Sequence, residues 1–257
     1  MSIKFKNPPI SELVIGVYFD REIPSLRSEH VGLFWGQVRE DFPNIQQQPL
    51  VNAPVRQPFP QQIFISSESW MPRFWLEASD GSTLMQIQKN AFLFNWRKKE
   101  TDYPHFDAVK AAFNKNKKRF FKFLSDELSE AEPKPQLAEL NYVNIIEGCE
   151  YWKGPEDTVK VIPRFRLPVG SETESPDFDQ RTSQRLAADL TLNTTVRSAR
   201  LAQAPAKPVL IIEYRAIGLL LDTDALDSWF DRAHDAIGHC FTEMTSQDIQ
   251  KTHWQPR

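Results

Sequence analysis

Glycine and cysteine are scarce in this chain, with nine glycines and two cysteines in 257 residues. So few glycines leave little material for phosphate-cradling loops, and GxSxG, GxGxxG and Walker-type patterns are all missing. A nucleotide-dependent enzyme of a familiar class is thereby disfavoured. Cys149 and Cys240 form neither a CxxC pair nor a finger spacing, which reads as two reduced thiols in a cytoplasmic protein. No apolar run approaches the roughly 20 residues that span a bilayer, and the opening MSIKFKNPP has no apolar core of a secretory signal. Neither sign of charge dominates. A net charge of −3 and a pI near 6.0 give no global attraction to nucleic acid or to an anionic membrane, so either would need a local basic patch.

What the chain does have is rings. Eighteen Phe and seven Trp, in a sequence that is 40% hydrophobic, predict a folded core built largely from aromatic side chains. Leu13, Ile15, Val17 and Phe19 alternate along a strand at 12–20. A helix opens at Ser28-Glu29, carries Val31, Phe34, Trp35, Val38 and Phe42, and stops at Pro43. The segment 43–62, with five Pro and six Gln, reads as an extended arm or loop. Three antiparallel strands follow at 73–79, 82–88 and 91–98, separated by Asp80-Gly81 and Lys89-Asn90 as turns. A helix over 105–128 sets Phe106, Val109, Phe113, Phe120 and Leu124 on one side, with Lys117 interrupting that side.

The pattern then restarts. PQLAEL at 135–140 echoes PPISEL at 8–13, and each opens a strand. A short helical piece at 155–162, a polar loop at 168–184, strands at 186–196 and 208–218 and a helix from about 224 to 244 complete the chain. That last helix carries the stripe Leu226, Trp229, Phe230, Ala233, Ile237, Phe241 and Met244, with Asp222 and Asp224 at its positive N-terminal end. The expectation is an α+β protein: an antiparallel sheet with helices mainly on one face, made by duplication of a β-α-β(2-3)-α unit. The halves would be 1–133 and 134–257, packed as one globular unit, in a layout like that of the TATA-binding protein by topological analogy only.

Four phrases together carry a resemblance: NPPISE, LMQIQKNAFLFNWRK followed by Tyr103-Pro104, ELNYVN at 139–144, and WFDRAHDAIGHCFTEMTSQ with Trp254 beyond it. As a set they resemble a sporadically distributed prokaryotic family of proteins of about this length, over nearly the whole chain. The resemblance implies a cytosolic bacterial or archaeal protein with the patchy distribution of defence-associated or mobile genes. It implies no activity, cofactor or catalytic residue.

Three constellations are candidates for function. Glu12, Asn95, Arg97, Glu139 and Asn144 are polar residues among apolar neighbours in strands. Buried charges need partners, so they read as a structural network in which Arg97 bonds a carboxylate, Glu12 or Glu139, with Asn support. The alternative is a polar pocket for a small ligand or a peptide terminus. Asp227, Asp231 and His234, spaced i, i+4, i+7, could ligate a divalent cation; the bland alternative is a helix-flank imidazole bonded to either aspartate. Lys115, Lys118, Arg119 and Lys122, with FNWRKK at 94–99, form a possible nucleic-acid surface, or simply a solvated helix face. The leading expectation is a non-enzymatic protein without cofactor that acts through protein–protein contacts in a prokaryotic accessory system such as defence or toxin neutralisation. Its partner is expected from a neighbouring gene, and the Pro/Gln-rich arm is one candidate surface. The alternatives are a metal-dependent hydrolase or nuclease using the Asp/His cluster, and a nucleic-acid-binding module.

Overall fold

Asp80-Gly81 does turn the chain: Gly81 sits at φ +67, where a side chain would be strained, and Asp80 Oδ1 accepts from the Ser82 N–H at 2.9 Å. In the computed structural model, which describes residues 5–51, 71–166, 177–200, 207–220 and 225–257, that turn joins two strands of a nine-stranded antiparallel sheet. The strands are β1 (Ile10–Phe19), β2 (Asn44–Gln48), β3 (Arg73–Glu77), β4 (Thr83–Gln88), β5 (Ala91–Arg97), β6 (Pro135–Glu147), β7 (Asp179–Ala187), β8 (Leu190–Arg200) and β9 (Pro208–Leu219). Their order in the sheet is β2-β3-β4-β5-β1-β6-β9-β8-β7. The helices are α1 (Ser28–Val38), α2 (Phe106–Leu128), α3 (Thr158–Val161), α4 (Leu226–Met244) and α5 (Gln247–Ile249). The α+β class and the antiparallel sheet are as the periodicities lead one to expect.

Two segments differ from the reading of the sequence. The arm at 43–62 begins as a strand, because Asn44–Gln48 is a proline-free window between Pro43 and Pro49 that pairs with β3, Gln46 opposite Trp75. Residues 52–62 lie outside the described residues. The polar loop at 168–184 ends as a strand, since β7 starts at Asp179; residues 168–176 lie outside the described residues. The single strand expected at 186–196 is the end of β7, a turn at Ala188-Asp189 and the start of β8. Asp222 and Asp224 also lie outside the described residues.

The chain divides into two compact units: Met1–Leu13, Leu140–Ile217 and Asp227–Arg257 form one, and Val14–Glu139 with Gly218–Leu226 form the other. Each is assembled from separated stretches, so the division does not fall at one point near residue 133.

In the unit holding Val14–Glu139, the rings of α1, α2 and β5 make the core. Phe34 meets Phe120 and Phe123 with centroids 5.4 Å away in each case, and Phe92 stacks on Phe120 at 5.6 Å. These side chains are buried to within a few per cent, and each such ring contributes about 2–3 kcal/mol of transfer free energy. Lys117 does not break α2: its ammonium rests over the Phe113 ring, 5.4 Å from the centroid. The helix ends where Ser129 takes the left-handed conformation at φ 53 and its N–H reaches back to the Leu124 carbonyl.

In the other unit, α4 supplies the lid of the core through its apolar stripe. Phe241 packs on Trp254 at 4.8 Å and on Tyr214 at 6.1 Å, and Phe5 closes edge-on against both Phe241 and Trp254 at 5.9 Å. Trp229 is fully buried and its indole N–H donates to the Asp189 carbonyl at 2.8 Å, tying α4 to the β7–β8 turn. Along β8, Leu192 and Val196 point into this core while Asn193, Thr195 and Arg197 point away from it.

Candidate functional site

The five strand residues singled out by their polarity do not form one network around Arg97. Arg97 bonds Glu77, the carboxylate at the far end of the same three-stranded meander, and its Nε donates to the Gly81 carbonyl at 3.1 Å. Glu77 is the partner because the β3–β4–β5 register brings the end of β3 and the end of β5 to the same turn. Neither Glu12 nor Glu139 takes that role. Glu139, buried in β6, accepts a hydrogen bond from the Tyr18 hydroxyl at 2.9 Å. Asn95 accepts from Gln86 Nε2 at 2.7 Å, and Asn144 donates to the Ile212 carbonyl at 3.0 Å. Glu12 stands half-buried in β1. Arg97, Asn95, Glu139 and Asn144 thus each bond a different partner.

Gln86 is the centre of a polar cluster the sequence did not advertise. Its Oε1 accepts from Arg73 Nη1 at 2.6 Å and Trp75 Nε1 at 3.2 Å while its Nε2 serves Asn95. The Arg73 guanidinium also lies over the Trp75 ring, 5.4 Å from its centroid, and burial pushes its pKa down. These groups bond one another, while Arg73 Nε is buried with no hydrogen-bond partner among the described residues.

On α4, Asp227 and Asp231 are exposed, and His234 Nδ1 meets the Tyr142 hydroxyl at 2.8 Å. Among the described residues no group of three His, Cys, Asp or Glu side chains converges as metal ligands, so this trio is not assembled as one. Of the basic stripe on α2, Arg119 is tied to Asp41 at 2.7 Å and Lys122 to Asp126 at 2.6 Å, leaving Lys115 and Lys118 as exposed cations on that face. Both cysteines are free thiols, and burial pushes the Cys240 thiol up, away from the thiolate a nucleophile needs.

The face of β7, β8 and β9 that points away from α4 carries a different arrangement. A basin of about 500 Å³ is lined by Arg181, Thr182, Ser183, Asn193, Thr195, Arg197, Glu213 and Arg215. The strand register builds it in rungs: Arg181, Thr195 and Glu213 lie side by side, as do Ser183, Asn193 and Arg215, with Arg197 opposite Asp179 on the next rung. Arg181, Arg197 and Arg215 sit on three different strands and three successive rungs, and all three line the same basin with Glu213. Three arginines face one lining carboxylate on a chain that is acidic as a whole.

Two of these charges are already oriented. Arg181 grips Asp179 with Nε to Oδ1 at 3.0 Å and Nη2 to Oδ2 at 2.8 Å, a fork that holds the Asp179 carboxyl below its ordinary pKa and raises that of Arg181. Glu213 accepts from Asn141 Nδ2 at 2.7 Å, while Asn141 Oδ1 is buried with no hydrogen-bond partner among the described residues. Among the described residues, the lining has hydroxyls but no His, Cys or Lys. Planar guanidinium donors of this kind suit an anionic group, and here they stand next to a carboxylate that accepts a hydrogen bond.

Sequence reasoning missed this basin because Arg181, Thr182 and Ser183 fall in the segment read as loop. The signal that could have found it is the alternation of Asn193, Thr195 and Arg197 with Leu192, Thr194 and Val196, echoed by Glu213 and Arg215 between apolar residues in β9. Set against family models, curated proteins and solved structures, the chain matches none of them.

Proposed function

We propose that this protein is a non-enzymatic binding protein that acts through protein–protein contact, and that the basin on β7–β9 receives an acidic surface of its partner. The observation that carries this reading is the grouping of Arg181, Arg197 and Arg215 around Glu213 on a solvent-facing strand surface. Guanidinium forks suit carboxylates, and a local positive face on an acidic chain steers an acidic partner to one place. Sheet surfaces that bind single-stranded nucleic acid stack bases on aromatic rings, and the basin lining contains none. Glu213 also opposes a phosphate polymer but suits a protein surface, which carries amide and hydroxyl donors among its carboxylates. The further idea, membership of a prokaryotic defence or toxin-neutralisation system with the partner encoded next door, rests on the sequence resemblance alone.

Titration calorimetry with a synthetic Glu/Asp-rich peptide tests the reading. Binding should weaken with added salt and fall about tenfold or more in Arg197→Glu, a loss typical of a desolvated charge contact. A wild-type protein that ignores the peptide at low ionic strength would overturn it, as would preference for a single-stranded oligonucleotide.

A further inference from the structure

The basin ends at a sheet margin. β7 is last in the strand order and, among the described residues, pairs with β8 alone. Such a margin presents a row of backbone N–H and C=O groups that an extended chain can satisfy. Seven of the nine residues of β7 are exposed. Pairing with β8 runs in unbroken register from Asp179 to Arg185 and shifts between Arg185 and Ala187. The stretch able to template another strand is therefore Asp179–Arg185.

The side chains say what that strand should carry. Arg181, Ser183 and Arg185 alternate along β7 and so share a face, and Arg181 and Ser183 line the basin. Among the described residues, the Arg185 guanidinium holds the Ala187 and Ala188 carbonyls, each at 3.4 Å, and no carboxylate. A strand added about 4.8 Å from β7 places its own side chains directly opposite these positions. Resting on the binding reading above, we propose that the partner contributes an extended acidic segment that adds to the β7 edge, with carboxylates opposite Arg181 and Arg185.

A second copy of this chain is the obvious competitor and fits poorly. Antiparallel self-pairing centred on Ser183 sets Arg181 against Arg185 of the copy twice, an opposition of like charges. Centring on Thr182 sets Asp179 against Arg185, but both Asp179 oxygens are already taken by Arg181. An acidic segment meets no like-charge opposition, and its carboxylate would approach Arg181 at the Nη1 that the Asp179 fork does not use. Its carboxylates lie four residues apart, one at each arginine, and its backbone completes the edge.

The test uses the full-length protein and a fluorescein-labelled peptide of alternating Thr and Val with two Glu four residues apart. A twin peptide is N-methylated at every second residue, on the edge that would face β7. The expected results are binding of the first peptide, loss of about tenfold or more in affinity for its twin, and slowed amide exchange at 179–185. Arg185→Glu, a residue outside the basin lining, should weaken the Glu peptide and be rescued by a peptide with Lys at the facing position. Equal affinity for both peptides with unchanged exchange at β7 overturns strand addition and leaves the anion-binding basin standing. No binding of either peptide overturns both. Protection of β7 that depends on protein concentration without peptide would make the occupant a second copy and overturn the acidic segment.

Discussion

Tyr18 and Glu139 are 121 residues apart in sequence and meet in the interior, the tyrosine hydroxyl donating to Glu139 Oε2 at 2.9 Å with both residues at least 96% buried. A carboxylate so placed must be bonded or neutralised, since leaving a buried polar group unsatisfied costs about 1–3 kcal/mol. Tyr18→Phe is expected to lower stability by that amount in urea unfolding. The loss should shrink when Glu139 is also changed to Gln, because the two substitutions remove opposite ends of one bond.

Gly16 lies in β1 where backbone and side chain are in close approach: a Cβ added there would sit 2.6 Å from Leu93 Cγ. Leu93 is itself 3% exposed and has nowhere to retreat. Gly16→Ala should therefore destabilise by about 1–3 kcal/mol through overpacking. The diagnostic is compensation: in a Leu93→Ala background the same alanine should cost less than it does in the wild type.

Gln86 serves Arg73, Trp75 and Asn95 at once. Gln86→Leu removes a hydrogen-bond partner from each of the three, and a loss of about 2–4 kcal/mol follows from these buried and part-buried bonds. Gln86→Glu keeps an acceptor for Arg73 and Trp75 but removes the donor to Asn95, so it should fall between wild type and Leu in chemical denaturation.

Besides Asp80 and Asp179, three carboxyls among the described residues titrate below their ordinary range. The Ser25 hydroxyl holds Glu130, the Lys160 ammonium holds Asp157 and the Arg232 guanidinium holds Asp189. A depressed native pKa means the unfolded chain takes up protons first as pH falls. Their stabilisation is thus present above the unfolded value of about 4 and disappears as pH drops through the lower native values. Melting temperature should decline between about pH 5 and pH 3. Asp189→Asn, which abolishes one of the three, should show a shallower decline and a lower melting temperature at neutral pH.

How much of this was legible depended on whether a segment faces one environment or two. The helices α2 and α4 could be read because each has one buried side, so Phe113, Phe120, Trp229 and Phe241 recur at helical spacing. The β3–β4–β5 meander was marked by Asp80-Gly81, whose turn chemistry is local. β2 and β7 were not read because they are sheet edges exposed on both sides, and a strand without a buried face leaves no alternation of polarity to find. The partner of Arg97 was misjudged for another reason. Composition says that a buried arginine needs a carboxylate, but only the hairpin register selects Glu77 over more distant acids.

The two compact units have a consequence for how the gene could be divided. A fragment ending at residue 133 would carry 1–13, which belong with 140–217, and would lack 134–139, which belong with its own remainder. Neither product of such a fission is a complete folding module. Separately expressed pieces split at residue 133 should be insoluble alone and recover only on co-expression.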